Sequence, residues 1–177
     1  HEGAHLRRSG IEGVIHVLEP FHPDDLAEYV RFDLVATICD LAAALAMSTH
    51  GVLTGRKLKA HLKVDTGMAR LGLHDSRDRD QIERILSLPG VEWEGVYTHF
   101  ARADDDRDST ASQIDRFLEL LAFLEAKGLR PPVAHAANSA AIFRHPESWL
   151  QMVRPGIAVY GYAPDGSVDT GLVPVLR

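Results

Sequence analysis

"HLKVDTGMARLG", residues 61–72, brings Lys63, Asp65 and Arg70 within eight positions. Just upstream and into this stretch, Leu58, Ala60, Leu62 and Val64 recur with period two, the spacing of one face of a β-strand. Lys59, His61, Lys63 and Asp65 fall on the opposite face. The strand therefore delivers ionisable groups to its exit end, just before a turn containing Gly67. Exposure on an edge strand is the plain structural account of such charges. The surrounding elements decide between that account and a functional one.

Working outward, strand-like and helix-like runs alternate. Residues 14–18, 34–38, 58–65, 91–98, 133–136 and 152–160 read as strands. Between them, residues 23–32, 40–47, 75–86, 112–127 and 139–143 read as helices, after an opening helix that stops at Gly10. The clearest is 112–127, where Ile114, Phe117, Leu118, Leu121 and Leu124 keep helical spacing and Gly128 ends the run. Short loops between such units demand parallel strands with crossover helices. The choice lies between an open doubly wound sheet and a (β/α)8 barrel. No G-x-G-x-x-G follows a strand, which argues against the dinucleotide-binding sheet. The expectation is an α/β fold of the (β/α)8 type, incomplete, with about six of eight units (barrel strands three to eight).

The bulk numbers exclude several functions. With 177 residues, 45% hydrophobic and 25% charged, the chain is an ordinary globular domain. A net charge of −6 gives no support to binding nucleic acid or an anionic membrane. No apolar run approaches the roughly 20 residues that span a bilayer. The lone Cys39 excludes an intramolecular disulfide, which fits a reducing cytoplasm, and reads as a small buried filler. The chain opens without Met, in mid-helix, and stops within the strand-like "GLVPVLR", so both ends are expected to be cut from a longer protein.

In barrels of this type function collects at the C-terminal ends of the strands. Those ends carry Lys63, Asp65, His99, Asn138, Ser139 and Arg154. Lys63 and Asp65 are expected to face the interior, with Arg70 folded back over them, and a structural ion-pair cluster is the alternative. Asn138 and Ser139 open a helix whose free N–H groups suit a phosphate, and Gly156 lets a backbone come close; "NS" reads equally well as a simple N-cap. Asp104 to Asp115 resembles a calcium loop only loosely, because Ser109 takes the Gly position and Asp115 the Glu position, so it reads as a solvated loop. No metal motif occurs among the ten histidines, no metal site is expected, and His135 reads as a packed histidine.

The stretches "HLKVDTGMARLGL", "EGVYTHFARAD", "AHAANSAA" and "MVRPGIAVYG" together resemble the alanine racemase family. The resemblance implies an isomerase that uses pyridoxal 5'-phosphate to interconvert L- and D-alanine for cell-wall peptidoglycan, as a cytoplasmic homodimer. It implies that residues 1–165 are part of the N-terminal barrel and that 166–177 lead into a C-terminal β domain. Arg154 matches the arginine that hydrogen-bonds the cofactor's ring nitrogen; an arginine cannot take up a proton, which keeps the ring a weaker electron sink and suits racemization over transamination. His99 resembles a histidine supporting that arginine. Ser139, Gly156 and Ile157 match phosphate-binding positions, with Asn138 beside them. Arg70 resembles the arginine that reaches the cofactor's phenolic oxygen and the substrate carboxylate. Lys63 matches a lysine carbamylated in some members. Ala69 stands where the family suggests Gly or Asn, a departure expected to be harmless.

Neither acid/base group of the family lies in this chain. The Schiff-base lysine belongs to a "KANAYGHG"-like segment, and the opposing tyrosine comes from the partner's C-terminal domain. Two-base racemization needs one such group on each side of the α-carbon, so the isolated stretch is expected to be inactive. Two rival readings are a non-catalytic pyridoxal-phosphate-binding barrel, which the "VDTGM" strand does not resemble, and a decarboxylase of the same fold type, whose ring nitrogen usually meets a glutamate where this chain has Arg154.

Overall fold

A computed structural model describes residues 1–163 and 170–175. Of the expected segment 166–177, residues 166–169 and 176–177 lie outside the described residues. The chain forms two compact units, His1–Val64 with Leu71–Gly95, and Asp65–Arg70 with Val96–Arg177. No helix among the described residues is long and apolar enough to cross a membrane.

The first unit opens with α1 (Glu2–Arg8), β1 (Ile15–Pro20), a 3-10 turn at Pro23–Asp25, α2 (Leu26–Phe32) and β2 (Leu34–Ile38). Then come α3 (Leu41–Thr54), β3 (Leu58–Asp65), the short β4 (Leu73–His74), α4 (Arg79–Leu86) and β5 (Val91–Tyr97). β1 and β2 run parallel, as do β2 and β3, with Ala36 opposite Ala60 and Ile38 opposite Leu62. Each parallel pair is joined through a helix, as the alternation requires. In β3 both faces are covered: Leu58, Ala60, Leu62 and Val64 are buried, and so are His61 and Lys63. The edge-strand account of those charges is thereby excluded. Cys39, half-buried, follows the Ile38–Leu62 pair; burial pushes its thiol up to about 11, outweighing the opposing pull of Lys63.

Two helices of the first unit depart from their expected bounds. α3 runs to Thr54 rather than stopping at residue 47 and ends at Gly55, which takes left-handed backbone; Gly51 inside it lies flat against the backbone of Gly90. Its start is as expected, with the Asp40 carboxylate accepting the Ala43 N–H at 2.8 Å. α4 begins at Arg79, not 75, since the preceding "HDSRD" closes a turn in which Asp78 accepts the His74 N–H at 2.7 Å.

In the second unit the end of β5 lies beside β6 (Val133–His135), with the Thr98 N–H donating to His135 O at 3.2 Å. α5 (Arg107–Ala126) starts five residues before the expected 112. Asp106 caps it by accepting the Ser109 N–H at 3.0 Å, so part of the acidic stretch read as a loop forms the cap and first turn. Leu118, placed on the apolar stripe by spacing, is exposed, and Leu120 takes its place in the core. α6 spans Ser139–Arg144.

The expected strand at 152–160 is corrected most. Only Met152 pairs, as a parallel bridge to His135, followed by the Arg154 N–H donating to Ala137 O at 2.9 Å. Pro155 has no N–H to continue a ladder. The chain breaks at Gly156 and winds into a 3-10 turn, Ile157–Tyr160.

The loop after β3 also needs a correction. Ala69 adopts φ 55°, left-handed backbone that favours Gly or Asn, so its presence carries strain. Ala69→Gly is expected to stabilise the protein by about 1 kcal/mol, the usual penalty for a Cβ in this region. A urea midpoint unchanged or lowered by the substitution would count against the strain.

Candidate functional site

The site is built on Arg154, in the second unit. Its Nη2 donates to Thr98 O at 2.7 Å and to Ala136 O at 3.0 Å, two carbonyls at strand ends. Nη1 meets His135 Nδ1, and Nη2 lies 3.4 Å from His99 Nδ1. A guanidinium only donates, so both imidazole Nδ1 atoms face it as acceptors, and a neutral His135 carries its proton on Nε2. The Arg154 guanidinium stands 5.1 Å from the centre of the Tyr97 ring, and Tyr97 stacks on His135 with centroids 4.6 Å apart. Burial pulls Arg154 down to about 10, with Tyr97 opposing the shift, so it remains a cation at neutral pH.

This fork is only partly used. A guanidinium has five N–H bonds. Among the described residues, Nε and one N–H of Nη1 have no partner. A partly buried cation with donors unmet by the described residues, held by carbonyls, can take a further acceptor.

Ser139 gathers the second feature. Its Oγ accepts the N–H of Gly156 at 2.8 Å and of Ala158 at 3.3 Å, which leaves its own hydroxyl proton to give. Asn138 acts as the N-cap of α6, its side chain accepting the Ala141 N–H at 3.0 Å. The N-cap reading of "NS" therefore holds for Asn138, while Ser139 ties α6 to the segment after Arg154. Among the described residues, a Cβ on Gly156 would meet nothing nearer than Ser139 Oγ at 3.7 Å, so none of their contacts forces glycine there. Ile157 follows, exposed.

The Asp65 carboxylate closes its own turn, accepting the N–H of Gly67 at 2.9 Å and of Ala69 at 3.1 Å. The turn ends in Arg70, whose side chain is exposed and has no hydrogen bond or ion pair among the described residues. Lys63 is 5% exposed within the first unit.

The structure thus brings together Arg154, His99, Ser139, Asn138, Gly156 and Ile157 in one unit. Sequence reasoning gave the support of Arg154 to His99; the closer contact is His135, with Tyr97 behind it. The available signal was the one used for Lys63, an ionisable or aromatic residue as the last in a strand.

The chain is thus a parallel β/α protein with a cationic fork held at its strand ends. The family model "Alanine racemase, N-terminal domain" matches residues 1–164. An alanine racemase of Desulforamulus reducens is 40% identical over 174 residues, 96% of this chain and 46% of the relative. One of Desulfosudis oleivorans is 43% identical over 178 residues, covering 95% and 46%. The solved alanine racemase of Clostridium difficile 630, in complex with cycloserine, superposes with a TM-score of 0.92 at 30% identity, over 98% of this chain and 49% of that one. The Bacillus anthracis enzyme with bound L-Ala-P gives 0.82 at 34% identity, covering 97% and 45%. The chain belongs to the alanine racemase family, in its N-terminal domain. It spans about half the length of the relatives it matches, and its α/β fold is the corresponding part of their barrel.

Proposed function

We propose that the full-length protein carrying this chain is a cytoplasmic, homodimeric pyridoxal-phosphate-dependent racemase that interconverts L- and D-alanine and supplies D-alanine for peptidoglycan. In this reading residues 1–165 contribute to the barrel and 166–177 lead toward the β domain. The observation that carries it is Arg154, fixed by Thr98 O, Ala136 O and His135 with donors left over. The donor set fits the cofactor: a guanidinium suits an unprotonated ring nitrogen, and the Ser139 hydroxyl with the Ile157 N–H suits a phosphate, Gly156 leaving room beside them.

When bound, pyridoxal phosphate withdraws electrons from the amino acid's α-carbon and acidifies its proton. Arg154 holds the ring nitrogen without giving it a proton, which limits that withdrawal. His135 and His99 keep the guanidinium aimed by accepting from it. Ser139, Asn138, Gly156 and Ile157 hold the phosphate end. Arg70 binds the substrate carboxylate, and Lys63 supports it. The two acid/base groups, a lysine and the partner's tyrosine, come from parts of the full-length protein outside residues 1–177.

Loaded full-length protein is expected to convert L-alanine to D-alanine, read by chiral chromatography. Residues 1–177 with added cofactor should give no D-alanine above a blank. Release of carbon dioxide from the full-length protein, or cofactor binding without turnover, overturns the reading.

A further inference from the structure

Gln113, on α5, is 4% exposed among Ile114, Phe117 and Leu121, where a leucine would fill the same space without polar atoms. A buried amide there costs free energy unless its groups are paired. Its partners lie on two other segments. Oε1 accepts the Ala101 N–H at 3.0 Å; Nε2 lies 3.4 Å from Thr66 Oγ1 and 3.5 Å from His99 O. The amide orientation follows from chemistry, since Ala101 N–H can only donate and His99 O can only accept. Thr66 continues the chain of bonds to Thr98, hydroxyl to hydroxyl at 2.8 Å. Gly67 rests on the same side chain: a Cβ there would sit 3.3 Å from Gln113 Cγ, and its φ of 140° already excludes most residues. Asp65 locks the rest of the loop from inside.

We propose that Gln113 is a positioning residue which clamps the loop of Arg70 and the segment of His99 to one point on α5, and so fixes the substrate-carboxylate arginine relative to the Arg154 cluster. The proposal rests on the racemase reading for the roles of Arg70 and Arg154. The clamp itself does not. Nothing in Gln113 touches substrate. It acts by removing freedom from two segments, which the Thr66–Thr98 pair also joins. A misplacement of about 1 Å at a distance from the chemistry can cost about a hundredfold in rate.

The test uses the full-length holoenzyme, its apo form, and two variants. Gln113→Leu removes all three bonds and keeps the volume. It should raise KM for alanine about tenfold and lower kcat/KM by about 10- to 100-fold, with pyridoxal-phosphate affinity within about twofold of the parent because Ser139 and Arg154 are untouched. Gln113→Glu keeps the acceptor for Ala101 but turns a carboxylate toward His99 O. Its activity relative to the parent should rise as pH falls, because the protonated acid regains a donor. Amide exchange at Ala101 and at Gly67–Ala69 in the apo form should quicken together in Gln113→Leu. A lowered Tm with KM and both exchange patterns unchanged overturns the clamp and leaves Gln113 a packing residue. Faster exchange in only one segment overturns it as well. If the parent does not racemize alanine, the racemase reading fails, and the exchange result still decides the clamp.

Discussion

Arg154→Glu in the full-length protein is expected to lower alanine racemization by about a thousandfold and to raise the share of transamination among the remaining turnovers. The parent guanidinium gives hydrogen bonds to Thr98 O and Ala136 O, two groups that only accept. A carboxylate in their place would face two carbonyl oxygens at close range, so the glutamate would be driven to hold its proton. It would then present the cofactor's ring nitrogen with an acid, reversing what the arginine does. The arginine is not there for stability. Burial pulls its folded value down to about 10, below its ordinary range, so the buried charge weighs against stability at any pH below about 10, and that cost is relieved only as pH rises past it. A group kept at a cost to stability, with donors unspent, is the kind selected for chemistry. Measuring D-alanine and pyruvate from the same reaction checks this; an unchanged product ratio would remove the argument about the ring nitrogen.

Gly90→Ala and Gly51→Ala are each expected to destabilise the protein by about 3 kcal/mol or more. A Cβ on Gly90 would overlap the carbonyl oxygen of Ser48, and one on Gly51 the carbonyl oxygen of Gly90. Both obstacles are backbone, which cannot swing aside as a side chain would. Relief requires α3 to lift from the segment before β5, which also strains the bond from the Gly90 N–H to Ser48 Oγ, now 3.2 Å. Gly13→Ala serves as the control, having nothing within 4 Å of its Cβ position. Urea denaturation of the three variants should separate them clearly. A cost near that of the control would mean the two glycines are not in the close contact described.

Much of this architecture was legible in local sequence. The period-two run at Leu58–Val64 marks β3, Asp40 opens α3, and Asn138 opens α6 as a cap should. Each depends on residues a few positions apart, where backbone geometry alone sets the pattern. Failures came where a distant partner overruled the local signal. The helix expected over 40–47 runs to Thr54, with Gly51 inside it packed against Gly90, 39 residues on. The apolar run after Met152 looked like a strand and had Pro155 to interrupt its ladder.

The sequence by itself determined that the strands are parallel, that ionisable residues sit at their exits, and that Arg154, Ser139 and Arg70 belong to one family pattern. Only the tertiary structure decided who meets whom. Arg154 finds Thr98 O, 56 residues earlier, and His135 rather than His99 as its closer imidazole. Asp65 accepts two N–H groups of its own loop. Gln113 joins segments 47 and 14 residues away. Periodicity fixes which face a side chain takes, but a hydrogen bond needs its partner within about 3 Å. Distances that short between residues far apart in the chain exist only once the helices have packed the strands side by side.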